Sequence, residues 1–90
     1  MLDLGDGKFI CPGWDLYFDG VRAYMERDYG GGYSIRLEWN MEADVPYICI
    51  SIRHVDTPDD ACEYWDVWYH ADDIQHRLVK CIEAIARKTQ

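Results

Sequence analysis

Between residues 33 and 54 the chain alternates apolar and polar side chains twice, and the two alternations have opposite parity. Tyr33, Ile35, Leu37, Trp39 and Met41 alternate with Ser34, Arg36, Glu38 and Asn40, whereas in 45–54 the apolar set is Ile48, Ile50 and Ile52, between Tyr47, Cys49, Ser51 and Arg53. A period of two marks a strand with one buried face. Opposed residues of an antiparallel pair share a face, so the paired residue numbers here must sum to an odd value. A four-residue loop at 42–45 meets that condition and sets Trp39 opposite Ile48, Leu37 opposite Ile50 and Ile35 opposite Ile52. Pro46 then stands at a strand start, where its missing N–H is tolerated.

The segment 61–69, rich in aromatic and β-branched residues, predicts a third strand after a turn at 55–60. With those six residues as the loop, Trp65 faces Ile50 and Val67 faces Ile48 on the inner side. Tyr64, Asp66 and Trp68 then point outward, with Trp68 opposite Tyr47. Ile74, Leu78, Cys81, Ile82 and Ile85 predict a helix over 72–88, with Asp72 and Asp73 early and Arg87 and Lys88 late, as the helix dipole favours. Trp14, Tyr17, Phe18, Val21, Tyr24 and Met25 fit one face of a second helix over 14–28, interrupted by Gly20 and ended by Gly30, Gly31 and Gly32. Residues 8–11 suit a short strand. The expected fold is therefore α+β and two-layered: a three-stranded antiparallel meander with two helices on one face, in the order α-β-β-β-α.

Ninety residues make one domain, spanning 1–90, and so short a chain needs dense apolar content. It has 49% hydrophobic residues, including four Trp and seven Tyr. The beginning of the chain carries Asp3 and Asp6 and no apolar run suited to a signal peptide, and no run is long enough to cross a membrane. A cytoplasmic protein with no membrane contact is expected. Cys11, Cys49, Cys62 and Cys81 are separated by 38, 13 and 19 residues, without the close pairs that zinc sites use. Free thiols in a reducing compartment are the expectation, ahead of one disulfide or a metal site.

Charge is the most informative functional feature. The net charge of −8 is concentrated in 33–70, which holds eight acids and two bases. From His54 through His76 there are seven acids and no Lys or Arg. Such a stretch can simply keep a small protein dissolved. It can also steer the chain toward a basic partner and away from nucleic acid. The aromatic residues among these acids favour the second reading, because aromatics anchor interfaces while charges guide approach. The candidate partner-binding residues are Asp56, Asp59, Asp60, Glu63, Tyr64, Asp66, Trp68, Asp72 and Asp73.

Catalytic and metal readings have less behind them. His54, Asp56, Asp59 and Asp60 lack the calcium-loop pattern and its glycine. His70 and His76 are six residues apart, on opposite sides of a helix. No cysteine lies in a glycine-rich strand-to-helix turn, Cys11 before Pro12-Gly13 being the nearest approach. The Gly30 to Gly32 triplet follows a predicted helix instead of opening one, a poor phosphate cradle. Neither catalysis nor a cofactor is expected.

The expected element order resembles that of the double-stranded RNA-binding domain. That family's RNA contact implies basic residues at the start of the last helix, where this chain reads His70-Ala71-Asp72-Asp73, so the resemblance is one of topology. In charge and size, and not in any motif, the chain resembles the small acidic inhibitors of phages and mobile elements, including anti-CRISPR proteins and other DNA mimics. That resemblance implies a non-catalytic inhibitor that binds a basic protein surface, such as that of a nucleic-acid-binding complex, without binding nucleic acid itself. The alternative is an accessory or self-associating domain, for example a homodimer, that uses its outer sheet face.

Overall fold

The odd-sum register holds through the centre of the sheet. In the computed structural model Ile35 pairs with Ile52, Leu37 with Ile50, Ile50 with Trp65, Ile48 with Val67 and Tyr47 with Trp68. The structure describes residues 2–5, 8–10, 14–18, 22–40 and 47–89, with 2–5, 8–10, 22 and 40 given as backbone only. The loop expected at 42–45 and the roles of Met41, Pro46 and Cys11 lie outside the described residues.

A short antiparallel ribbon comes first, β1 (Leu2–Gly5) with β2 (Lys8–Ile10). Next come β3 (Asp15–Phe18), β4 (Arg22–Gly30), β5 (Tyr33–Asn40), β6 (Tyr47–His54) and β7 (Glu63–Trp68), which form one antiparallel sheet in sequence order. A single 3-10 turn, Asp59–Ala61, leads into β7, and α1 (Ala71–Lys88) follows it.

This corrects the α-β-β-β-α expectation: the sheet has five strands and one helix covers it. Residues predicted as a first helix over 14–28 belong to β3 and β4, paired Asp15 to Glu26, Leu16 to Met25, Tyr17 to Tyr24 and Phe18 to Ala23. The cause is visible in the side chains. Tyr17 and Tyr24 face outward and stack on each other, so both faces of this hairpin carry apolar rings and a two-residue period is masked. Gly20, expected to interrupt the helix, lies outside the described residues. Gly30, Gly31 and Gly32 end no helix; all three have positive φ (84°, 62° and 82°) and turn β4 into β5. With the first helix gone, the likeness to the double-stranded RNA-binding domain falls as well.

The core lies between the inner sheet face and α1. Ile35, Leu37, Ile48 and Ile50 are fully buried in the sheet, and Ile74, Leu78, Cys81 and Ile85 meet them from the helix at spacings of four, three and four residues. Burying each such aliphatic side chain contributes roughly 1.5–3 kcal/mol, which makes this layer the main source of stability. His70 caps α1, its Nδ1 accepting from the Asp72 N–H at 3.3 Å. Asp72 and Asp73 occupy the first turn, and Arg87 and Lys88 the last. The helix packs across β6 and β7, and Arg77 lies 4.8 Å from the ring of Trp65. Among the described elements, α1 is the one that packs on the five-stranded sheet with more than marginal contact.

Candidate protein-binding surface

All nine residues singled out in the sequence lie on β7 or at its two ends. Tyr64, Asp66 and Trp68 alternate along β7 and point outward, as their partners Ser51, Cys49 and Tyr47 on β6 do. Tyr64 is 66% exposed and Trp68 56%, and the ring of Trp68 lies 4.5 Å from that of Tyr47. An indole held against a tyrosine and open to water on its other side is already fixed in place, so little side-chain entropy remains to be lost on contact.

The acids separate into two groups. Asp56, Asp59 and Asp60 lie in the connection from β6, whereas Asp72 and Asp73 open α1 beyond the other end of β7. Glu63 begins β7 opposite Ile52 on the inner row, away from Tyr64 and Trp68. The stretch is also less uncompensated than its composition implies. Arg53 Nη1 reaches Asp59 Oδ1 at 2.6 Å, and Lys88 Nζ stands 3.9 Å from Glu63. Asp60, Asp66, Asp72 and Asp73 have no ion pair among the described residues. Sequence reasoning confined to 54–76 missed these cations, because Arg53 precedes that window by one residue and α1 carries Lys88 back to its start.

The outer face extends beyond β7 as an open groove of about 430 Å³ over β3 to β6. Two arginines stand in it, each engaged with a carboxylate. Arg36 Nε donates to Glu26 Oε2 at 2.7 Å, and its guanidinium carbon lies 4.3 Å from the ring centre of Tyr24. Burial alone would lower the Arg36 pKa, but the hydrogen bond and charge of Glu26, with Tyr24 and Glu38 adding to them, together offset it and the net direction is up. Arg53 also donates to Ser51 Oγ at 3.2 Å, and Ser51 is buried beneath it. Asp15 and Asp28 complete an acidic rim.

Among the described residues no three metal-ligating side chains come together. Cys49, Cys62 and Cys81 are free thiols. Burial pushes the Cys49 thiol up, with Asp66 and Glu38 adding to it against Arg53, and burial pushes Cys81 up to about 11. Both shifts disfavour the reactive thiolate. No described helix is long and apolar enough to cross a membrane. Comparison with family models, curated proteins and solved structures finds no match.

Proposed function

We propose that the chain is a non-catalytic acidic binding protein of the cytoplasm that docks on a basic protein of the nucleic-acid-handling kind and inhibits it, through the outer face of β6 and β7. The observation that supports this reading is the exposed Tyr47–Trp68 pair on the outer sheet face, with Asp66 and Tyr64 following on the same side of β7 and Asp60 in the connection before it. The aromatics supply area that gains from leaving water, and the acids select a partner of opposite charge.

Affinity capture from a native lysate, followed by association kinetics with the captured protein at two salt concentrations, tests it. Replacing Asp59, Asp60 and Asp66 with Asn should slow association and flatten its salt dependence, while Trp68→Ala should speed dissociation by a factor equivalent to about 2 kcal/mol. An unchanged rate and salt response in the Asn variant would reduce the acids to a solubility feature. Concentration-dependent self-association abolished by Trp68→Ala would replace the reading with that of a self-pairing domain.

A further inference from the structure

Strand β3 repeats, at the edge of the sheet, the half-site that β4 uses to hold Arg36. On β4, Tyr24 and Glu26 point to the outer face two residues apart, and together they take the Arg36 guanidinium, the carboxylate at 2.7 Å and the ring at 4.3 Å. On β3, Tyr17 and Asp15 point to the same face with the same spacing, Tyr17 directly opposite Tyr24 and Asp15 directly opposite Glu26. The tyrosine rings stack at 4.9 Å with 20° between their planes, so Tyr17 continues the pile that begins with Arg36. The sequence carries the repeat as Asp-Leu-Tyr at 15–17 and its reverse, Tyr-Met-Glu, at 24–26. Among the described strands, none pairs with the other edge of β3. This strand ends the five-stranded sheet, Asp15 and Tyr17 are exposed, and Asp15 has no ion pair among the described residues. Leu16 and Phe18, on the other face of the same strand, are 66% and 64% exposed.

We infer that the free edge of β3 receives an extended segment of a partner protein in which arginine alternates with apolar residues. The arginine lies on Tyr17 and pairs with Asp15, as Arg36 does with Tyr24 and Glu26, and the apolar neighbours cover Leu16 and Phe18. Main-chain hydrogen bonds to an open sheet edge provide the docking, and alternate side chains provide the choice of sequence. Arginine suits the position better than lysine because a planar guanidinium can stack on the ring and bond the carboxylate together. A second copy of this chain is a poor occupant: antiparallel self-pairing of β3 about Leu16 sets Asp15 opposite Tyr17 and supplies no base. The inference rests on the reading above in taking the partner to be basic, and differs in placing a contact at the opposite edge of the sheet.

The test uses the full chain and a fluorescent, end-capped peptide of alternating valine and arginine. Binding is followed by anisotropy beside three control peptides: lysine for arginine, glutamate for arginine, and N-methylated at alternate amides. The arginine peptide should bind, the lysine peptide more weakly, and the glutamate and N-methylated peptides not at all. Tyr17→Thr and Asp15→Asn should each weaken the arginine peptide about tenfold, whereas Tyr17→Phe, which keeps the ring, should restore binding. Both positions are exposed on an edge strand, and unchanged circular dichroism and melting confirm that the variants fold. Absence of binding, equal binding of the N-methylated peptide, or indifference to both β3 variants overturns the inference. So does a dimer in sedimentation that disperses on Leu16→Lys, since a second copy would then occupy the edge. If affinity falls only when Asp59, Asp60 and Asp66 become Asn, the β3 site is wrong while the basic-partner reading stands. If no variant matters and added salt changes nothing, both are wrong.

Discussion

The imidazole of His54 ties the end of β6 to the glycine turn, its Nε2 lying 3.1 Å from the carbonyl oxygen of Gly31 while its Nδ1 accepts from the Asp56 N–H at 3.2 Å. One ring thus bonds backbone groups in two separate connections, and the ring centre of Tyr33 lies 4.4 Å from its own, tilted by 57°. Both bonds are exposed, so water can take the place of the imidazole, and His54→Leu should lower the unfolding free energy by only about 1 kcal/mol, read as a lower urea midpoint at an unchanged m-value. A rise in m would show instead that the connection from β6 had come loose.

The same packing sets a gradient across the glycines. A methyl at Gly32 would lie 2.9 Å from Val55 Cγ2 and 3.0 Å from His54 Nε2, and its φ of +82° strains any L-residue. At Gly30, with a similar φ, nothing stands within 4 Å. Gly32→Ala should therefore cost roughly 2–3 kcal/mol and Gly30→Ala about 1 kcal/mol, measured by chemical unfolding. Equal losses would mean that backbone strain alone matters at the turn.

Core and edge should respond very differently to truncation. Leu37 is fully buried between its cross-strand neighbours Met25 and Ile50, so Leu37→Ala should cost about 3–5 kcal/mol. Leu16→Ala, at a side chain already two-thirds in water, should stay within about 0.5 kcal/mol. A large loss at Leu16 would reveal a cover over β3 in the isolated chain.

Cys81 makes stability depend on alkaline pH. Its thiol is held neutral by burial, with Glu63 acting in the same direction and Arg77 opposing, so the folded pKa is about 11 against an ordinary 9.0. A raised acid pKa means that the unfolded chain loses its proton first. The contribution is fully present below about pH 9 and is lost as pH rises toward 11. Cys81→Ala should flatten that decline, and in the native protein Cys62 should react with a thiol reagent well before Cys81. A decline of the same slope in Cys81→Ala would assign it to tyrosine or lysine ionisation.

The middle of the sheet was legible in the sequence because each strand there has one face against the core and one in water. Parity together with a four-residue loop then set Leu37 against Ile50, and a six-residue loop set Val67 against Ile48. The helix was legible for the same reason, though it starts at Ala71, one residue earlier than expected. The N-terminal third was not. At β3 both faces carry large apolar side chains in water, Leu16 and Phe18 inward and Tyr17 outward, and inward-facing Arg27 on β4 breaks the pattern further. Two-sided apolar strands satisfy helical spacing as readily as they fail alternation. The candidate surface was legible as composition but not as geometry: Trp68 against Tyr47 followed from register, whereas Arg53 on Asp59 and the matched halves on β3 and β4 depend on which strands become neighbours.

A sheet in which every strand pairs with its neighbour in the chain can assemble as a succession of hairpins, each closed over a short loop. Its apolar side is covered by α1, which follows the five strands in the chain. During synthesis the five strands must therefore wait with Ile35, Leu37, Ile48 and Ile50 in water, and a nascent chain halted before residue 71 would present them to whatever chaperone or neighbouring chain stands nearby. The order of elements thus leaves the newborn sheet most vulnerable in the interval before the eighteen-residue helix that follows it emerges.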